Sequence, residues 1–217
     1  YTTLFRSPVC TTEKLASYLP APLIGILEEG TEEAPPLYGF ISPANSIGQV
    51  KSFHGQFNVL VKAFTYIRML GAEGLQRVAH HAVLNANYLL TRLRGYYTVP
   101  YDQVCKHEFV LEGAWKDAPT VHALDIAKRL MDYGFHPPTN YFPLIVHEAL
   151  MIEPTETESK QTLDQFADAL IAIAKEARSN PETLHAAPHS TPIGRLDELK
   201  AAKELNVCCS LDFFEDQ

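Results

Sequence analysis

The stretch Thr120-Val-His-Ala-Leu-Asp-Ile-Ala-Lys-Arg-Leu-Met-Asp-Tyr-Gly134 decides the fold class. Leu124, Ala127 and Leu130 recur at helical spacing, Thr120 stands where an N-cap is needed, and Gly134 supplies the stop. Downstream, Ala149-Leu-Met-Ile152 is too short and too apolar for anything but a buried strand. Thr155 with Glu158 then spells a capping box, and Leu163, Phe166, Ala167, Leu170, Ile171 and Ala174 continue it as another amphipathic helix. Upstream, Tyr97-Thr-Val99 and His107-Glu-Phe-Val-Leu111 are β-rich runs on either side of Pro100 and Asp102, and two strands are expected. Before them, Leu75 to Leu93 carries a long apolar stripe that stops at Gly95, and Phe57, Leu60, Val61, Phe64 and Ile67 form a shorter one that stops at Gly71. Helix, helix, strand, strand, helix, strand, helix is an α+β layer.

The flanks read differently. Residues 8–50 hold Pro20, Pro22, Pro35, Pro36 and Pro43 around short apolar runs such as Leu23-Ile-Gly-Ile-Leu27, the text of loops and short strands that need something else to cover them. Residues 1–7 stand apart and resemble the translation of a sequencing-adapter oligonucleotide, so a non-native leader is expected there. The organisation expected is a leader over 1–7, the end of a larger domain with a linker arm over 8–50, an interdomain helix over 51–70, and a small α+β domain over 71–217.

The 217 residues are 46% hydrophobic and 20% charged, the composition of a globular protein. A formal charge of −8 offers no field to a phosphate backbone, so neither nucleic acid nor an anionic membrane is an expected partner. No apolar run approaches a membrane span, and a soluble cytoplasmic protein is the reading. Cys10, Cys105, Cys208 and Cys209 lack zinc-site spacing and read as free thiols.

No self-sufficient catalytic signature is present: no glycine-rich phosphate loop, nucleophile elbow or zinc helix. The nine histidines do not cluster with carboxylates at metal-ligand spacing, and no metal set is assigned. Three places invite chemistry. In Lys51-Ser-Phe-His-Gly-Gln56 a glycine turn feeds a helix whose free amides suit a phosphate, with an ordinary capped helix start as the bland alternative. In Cys105-Lys-His-Glu-Phe109 strand alternation puts His107 on the core side with Phe109 and Leu111, where a hydrogen-bonded core histidine is the commoner outcome. In Gly134-Phe-His-Pro-Pro-Thr139 the double proline stiffens the backbone that carries His136 and Thr139, either as a site or as a rigid connector. The acidic run Glu153-Pro-Thr-Glu-Thr-Glu158 reads as capping chemistry.

These places coincide with a family resemblance. Ser52–Phe57, Ala86-Asn87-Tyr88, His107–Val110, Asp125–Leu130, Asp132–Thr139, Tyr141–Leu144 and Met151–Glu158 resemble the C-terminal half of the glycine decarboxylase P-protein, and more closely the second subunit of its split bacterial form. The resemblance runs from near Pro8 to about Phe214. It implies an α/β parent enzyme of pyridoxal phosphate fold type I, of which this chain is mainly the C-terminal α+β small domain. It also implies an activity: decarboxylation of glycine and transfer of the aminomethyl group to the lipoyl arm of H-protein, with the first P-protein subunit as partner. By the same resemblance His54, Gly55 and Gln56 reach the cofactor phosphate, while His107, His136 and Thr139 line the substrate cleft. The family's Schiff-base lysine, in an Asn-Leu-His-Lys string, does not occur among the ten lysines here, so the chain alone is expected to be inactive. Two alternatives stay open. One is the small domain of another fold-type-I enzyme, an aminotransferase or desulfurase, for which an arginine to hold a carboxylate would be needed and only Arg129, Arg178 and Arg195 lie beyond residue 100. The other is a non-catalytic α+β interaction domain.

Overall fold

A computed structural model describes residues 9–53 and 55–207. The expected leader, His54 and the pair Cys208 and Cys209 lie outside the described residues. The chain divides into two compact units, Tyr1–Glu73 and Gly74–Gln217.

In the first unit, a single turn of helix α1 (Glu13–Ala16) precedes an antiparallel hairpin of β1 (Leu23–Glu28) and β2 (Leu37–Ile41). Gly25 and Gly39 face each other in its register, where added side chains would run into Ile41 and Leu27. Helix α2 (Phe57–Leu93) is two helical segments joined at Gly71, whose φ of 64° and ψ of −174° belong to glycine. Both expected stripes therefore form helices, divided where the sequence places its glycine.

The second unit contains strands β3 (Phe109–Glu112), β4 (Thr139–Asn140) and β5 (Ala149–Ile152), antiparallel in the order β3-β5-β4. Helices α3 (Ala123–Asp132), α4 (Lys160–Ser179), α5 (Pro181–His185) and α6 (Glu198–Lys203) complete it. The core forms where the end of α2 meets this sheet and α4: Leu89, Leu93, Leu111, Ile126, Leu130, Leu150, Leu170 and Ile173 are fully buried. Each such side chain contributes about 1.5–3 kcal/mol by leaving water. Tyr97 is buried with them; its hydroxyl donates to the Leu170 carbonyl at 2.8 Å, its ring packs 5.0 Å from Trp115, and burial pushes its phenol pKa up.

Four local readings change. The N-cap of α3 is His122 rather than Thr120, because Asp125 accepts the His122 amide at 2.8 Å and Glu148 accepts the Ala123 amide at 2.6 Å. Its Leu124 is half-buried, and Ile126 takes the core position beside Ala127 and Leu130. Helix α4 is capped by Ser159, which accepts from the Thr162 amide at 3.1 Å, and not by Thr155, whose carbonyl is taken by Asn85. In place of the strand expected over 97–99, Tyr97 and Thr98 make isolated bridges, with Arg94 and Glu112 respectively.

Candidate active-site grooves

The loop after α3 is fixed at both ends. Gly134 (φ 80°) ends the helix, with the Phe135 amide donating back to the Leu130 carbonyl at 3.1 Å, and Thr139 enters β4 opposite Met151. Between these anchors Pro137 and Pro138 restrict the backbone. The loop walls a cavity of about 400 Å³ completed by Met151 of β5, by Glu153 and Pro154 just after it, and by Thr162, Leu163 and Phe166 of α4. Its floor is apolar, with Leu163 buried and the Phe135 and Phe166 rings edge-on at 5.3 Å. Its polar groups are those of His136, Thr139, Glu153, Glu158 and Thr162. An apolar cleft with a few convergent polar groups is the usual form of a small-molecule site.

A second groove, also about 400 Å³, runs along Ala79, Ala82 and Val83 of α2 and is closed by Lys106, His107 and Glu153 to Glu156. Glu153 and Pro154 line both. Here the strand reading of His107 is corrected: β3 begins only at Phe109, His107 sits in the bend before it, and its side chain is 53% exposed. The bend is held by Asn87, whose side chain donates to the Cys105 carbonyl at 2.8 Å and accepts the Cys105 amide at 3.0 Å. That clasp takes the place of ladder pairing, so alternation does not extend back to His107.

His136 and Thr139 thus share one cavity, and His107 borders the neighbouring groove. Gly55 and Gln56 belong to the first unit, at the start of α2. Gly55 has φ 150°, and a Cβ there would meet only Leu60, at 3.4 Å. The first intrahelical bond runs from the Leu60 amide to the Gln56 carbonyl, so the amides before it have no partner within the helix. Sequence reading missed Glu153, which it assigned to capping, and Asn87 as a positioning residue. The buried Pro154 immediately after Glu153, fixing the turn out of β5, was the available signal.

The family model described as glycine dehydrogenase, C-terminal domain, matches residues 78–191, a span that includes His107, His136, Thr139 and Glu153. The chain belongs to this family. Among curated proteins it is similar to the probable glycine dehydrogenase (decarboxylating) subunit 2 of Chlorobium phaeovibrioides, 57% identical over 203 residues, covering 93% of this chain and 41% of the relative. It is also similar to the protein of the same name from Caldanaerobacter subterraneus subsp. tengcongensis, 57% identical over 198 residues, covering 90% of this chain and 39% of the relative. The chain therefore spans about two fifths of the length of these relatives. Among solved structures it resembles an inhibitor-bound glycine decarboxylase (P-protein) of the glycine cleavage system, with a TM-score of 0.60 at 20% identity over 74% of this chain and 37% of that one. That likeness shows the fold, and the α+β class read from the sequence is the class found. The membership removes the aminotransferase and desulfurase alternatives. Among the described residues no helix is long and apolar enough to cross a membrane.

Proposed function

We propose that this glycine dehydrogenase domain is the C-terminal part of a second subunit that, in the cytoplasm with a first P-protein subunit, decarboxylates glycine and passes the aminomethyl group to lipoylated H-protein. The observation that carries the reading is identity above 50% along nine tenths of the chain to relatives each named as that subunit.

Pyridoxal phosphate is the cofactor the family implies, and the chain suits one end of it. The Gly55 turn, nearly free of obstruction, and the amides at the start of α2 that lack a partner within the helix offer donors and a positive dipole end to a phosphate, with Gln56 next in the chain and His54 the residue before Gly55 in sequence. No lysine string of the kind that would hold its aldehyde occurs in the chain, and Lys51 lies over the Phe53 ring, 5.7 Å from its centroid. When bound, the cofactor supplies the electron sink that loss of a carboxylate requires. What this chain's residues supply is binding and shape. His136 and Thr139 present an imidazole and a hydroxyl to a cleft with an apolar floor, and the prolines between them hold that pair at fixed separation. His107 borders the adjoining groove, and the shared Glu153 links the two.

The test is reconstitution of the full-length subunit containing this segment with its first subunit, pyridoxal phosphate and lipoylated H-protein, reading exchange of labelled bicarbonate into glycine. Exchange is expected, and Gly55→Asp should weaken cofactor binding about tenfold by setting a negative charge where the amides await an anion. Absence of exchange, under conditions where an established subunit pair is active, would refute the assignment.

A further inference from the structure

Strands β3 and β5 end their pairing with Phe109 opposite Ile152. One position further on each stand Glu108 and Glu153. They lie past the last ladder pair, but a carboxylate oxygen of each is within 4.8 Å of the other, and two like charges so close repel. Glu108 is moreover half-buried. The bend that takes His107 out of the strand brings positive or electrophile-binding capacity to this point: its Nε2 is 3.8 Å from Glu153 Oε1, and one ligand atom each from His107, Glu108 and Glu153 lie within 4.8 Å of one another.

The geometry points to a divalent-cation site formed by His107, Glu108 and Glu153. An imidazole with two carboxylates is a donor set for a borderline ion such as Zn²⁺, whose charge would relieve the repulsion between the two glutamates. Bonds of about 2.1 Å put donors about 3.4 Å apart around a tetrahedral ion. The observed spread closes to that by rotation of His107 and Glu153, both of which are more than half exposed. Remaining coordination positions are open to the groove beside α2, which has room for water. The consequence is positional. Glu153 also lines the His136–Thr139 cavity, so an ion tying Glu153 to the start of β3 would set one wall of that cavity. Lys106 lines the same groove and is the competing source of positive charge; an ammonium seated between the carboxylates would exclude the ion.

The inference is independent of the proposed activity and is tested without it. The full 217-residue chain, untagged and stripped of metal, is titrated calorimetrically with zinc chloride near neutral pH, with magnesium chloride as the comparison. Saturable zinc binding is expected, weakened at least about tenfold by His107→Ala and, separately, by Glu153→Gln, while Lys106→Ala leaves it intact or tightens it. A zinc-dependent rise in melting temperature should disappear in the same two variants, whose circular dichroism reports that they remain folded. Absence of saturable binding would overturn the site. So would binding that survives both substitutions, which would place zinc on other histidines or on the Cys208–Cys209 pair.

Discussion

Two apolar stripes with the same helical period meet opposite fates in this chain. In the first unit Phe57, Leu60 and Phe64 are 76%, 60% and 66% exposed; in the second Leu89, Leu90 and Leu93 are 1%, 2% and 0% exposed. Both stripes lie on helical segments of α2, so helix formation does not separate them. What separates them is an opposing surface. The second stripe faces a three-stranded sheet and α4, whereas the described residues of the first unit offer a two-stranded hairpin, too few strands to build a core of its own. Ile24, Ile26, Tyr38 and Phe40 of that hairpin are exposed in the same way, and none of the described residues of the first unit is buried. Periodicity specifies that a face is apolar, and the partner element decides whether it is buried.

The largest expected effect tests that contrast directly. Leu170→Ala, at a fully buried position, should lower unfolding free energy by about 2–5 kcal/mol through lost transfer energy and a residual cavity. Leu60→Ala should stay within about 0.5 kcal/mol. Urea midpoints of the two variants settle it, and a cost at Leu60 close to that at Leu170 would break the comparison.

A smaller effect distinguishes the second unit by pH. Arg129 donates to Glu176 at 2.8 and 3.1 Å and to Asp132 at 3.1 Å, and the Tyr133 hydroxyl donates to Glu176 at 2.8 Å. The Arg129 guanidinium holds the Glu176 carboxyl below its ordinary 4.5. Burial pushes Asp132 upward, but donation from the Ser190 and His189 amides, the Ser190 hydroxyl and Arg129 together outweighs it and the net direction is down. A depressed carboxylate stabilises the fold above its unfolded pKa, and that stabilisation is lost as pH falls through the folded value. Stability should therefore decline below about pH 4.5, and Glu176→Gln should flatten that decline. Arg129→Ala should cost about 1.5–3 kcal/mol at neutral pH, where both carboxylates lose their cationic partner and keep only neutral donors. An acid limb unchanged in Glu176→Gln would remove this cluster from the account.

Much of the second unit was legible because its signals are local. The stripe from Leu163 to Ala174, the strand at 149–152 and the stop at Gly134 each depend on residues a few positions apart. The caps were not legible: Thr155 and Ser159 satisfy the same N-cap preference, and His122, which caps α3, is not a preferred type while Thr120 is. The choice was made by Asp125 and by Glu148, the latter remote in sequence. His107 was misread for a related reason: alternation assumes that a strand continues, and here the side chain of Asn87 replaces the ladder. The cavity around His136 and Thr139 was legible as a stiff loop but not as an enclosure, since Glu153 and Phe166 reach it only through pairing of β4 with β5 and packing of α4. The approach of His107 and Glu108 to Glu153 was invisible for the same reason.

The smallest effect sharpens the comparison at the level of single thiols, one in each unit. Cys10 is exposed, and Cys105 is half-buried behind Asn87. Burial pushes the Cys105 thiol up, so at neutral pH less of it is thiolate, and access is reduced as well. Iodoacetamide followed by peptide mapping, which separates these sites from Cys208 and Cys209, should find Cys10 modified well before Cys105. Asn87→Ala removes both bonds of the clasp, each worth about 0.5–1.5 kcal/mol, and opening of the 100–107 segment should become correspondingly more frequent. Labelling of Cys105 should then accelerate roughly fivefold for each kcal/mol lost, while Cys10 keeps its rate. Equal acceleration at both thiols would mean that the substitution unfolds the chain globally. Unchanged Cys105 labelling would mean that the clasp does not govern the bend, and with it the placement of His107.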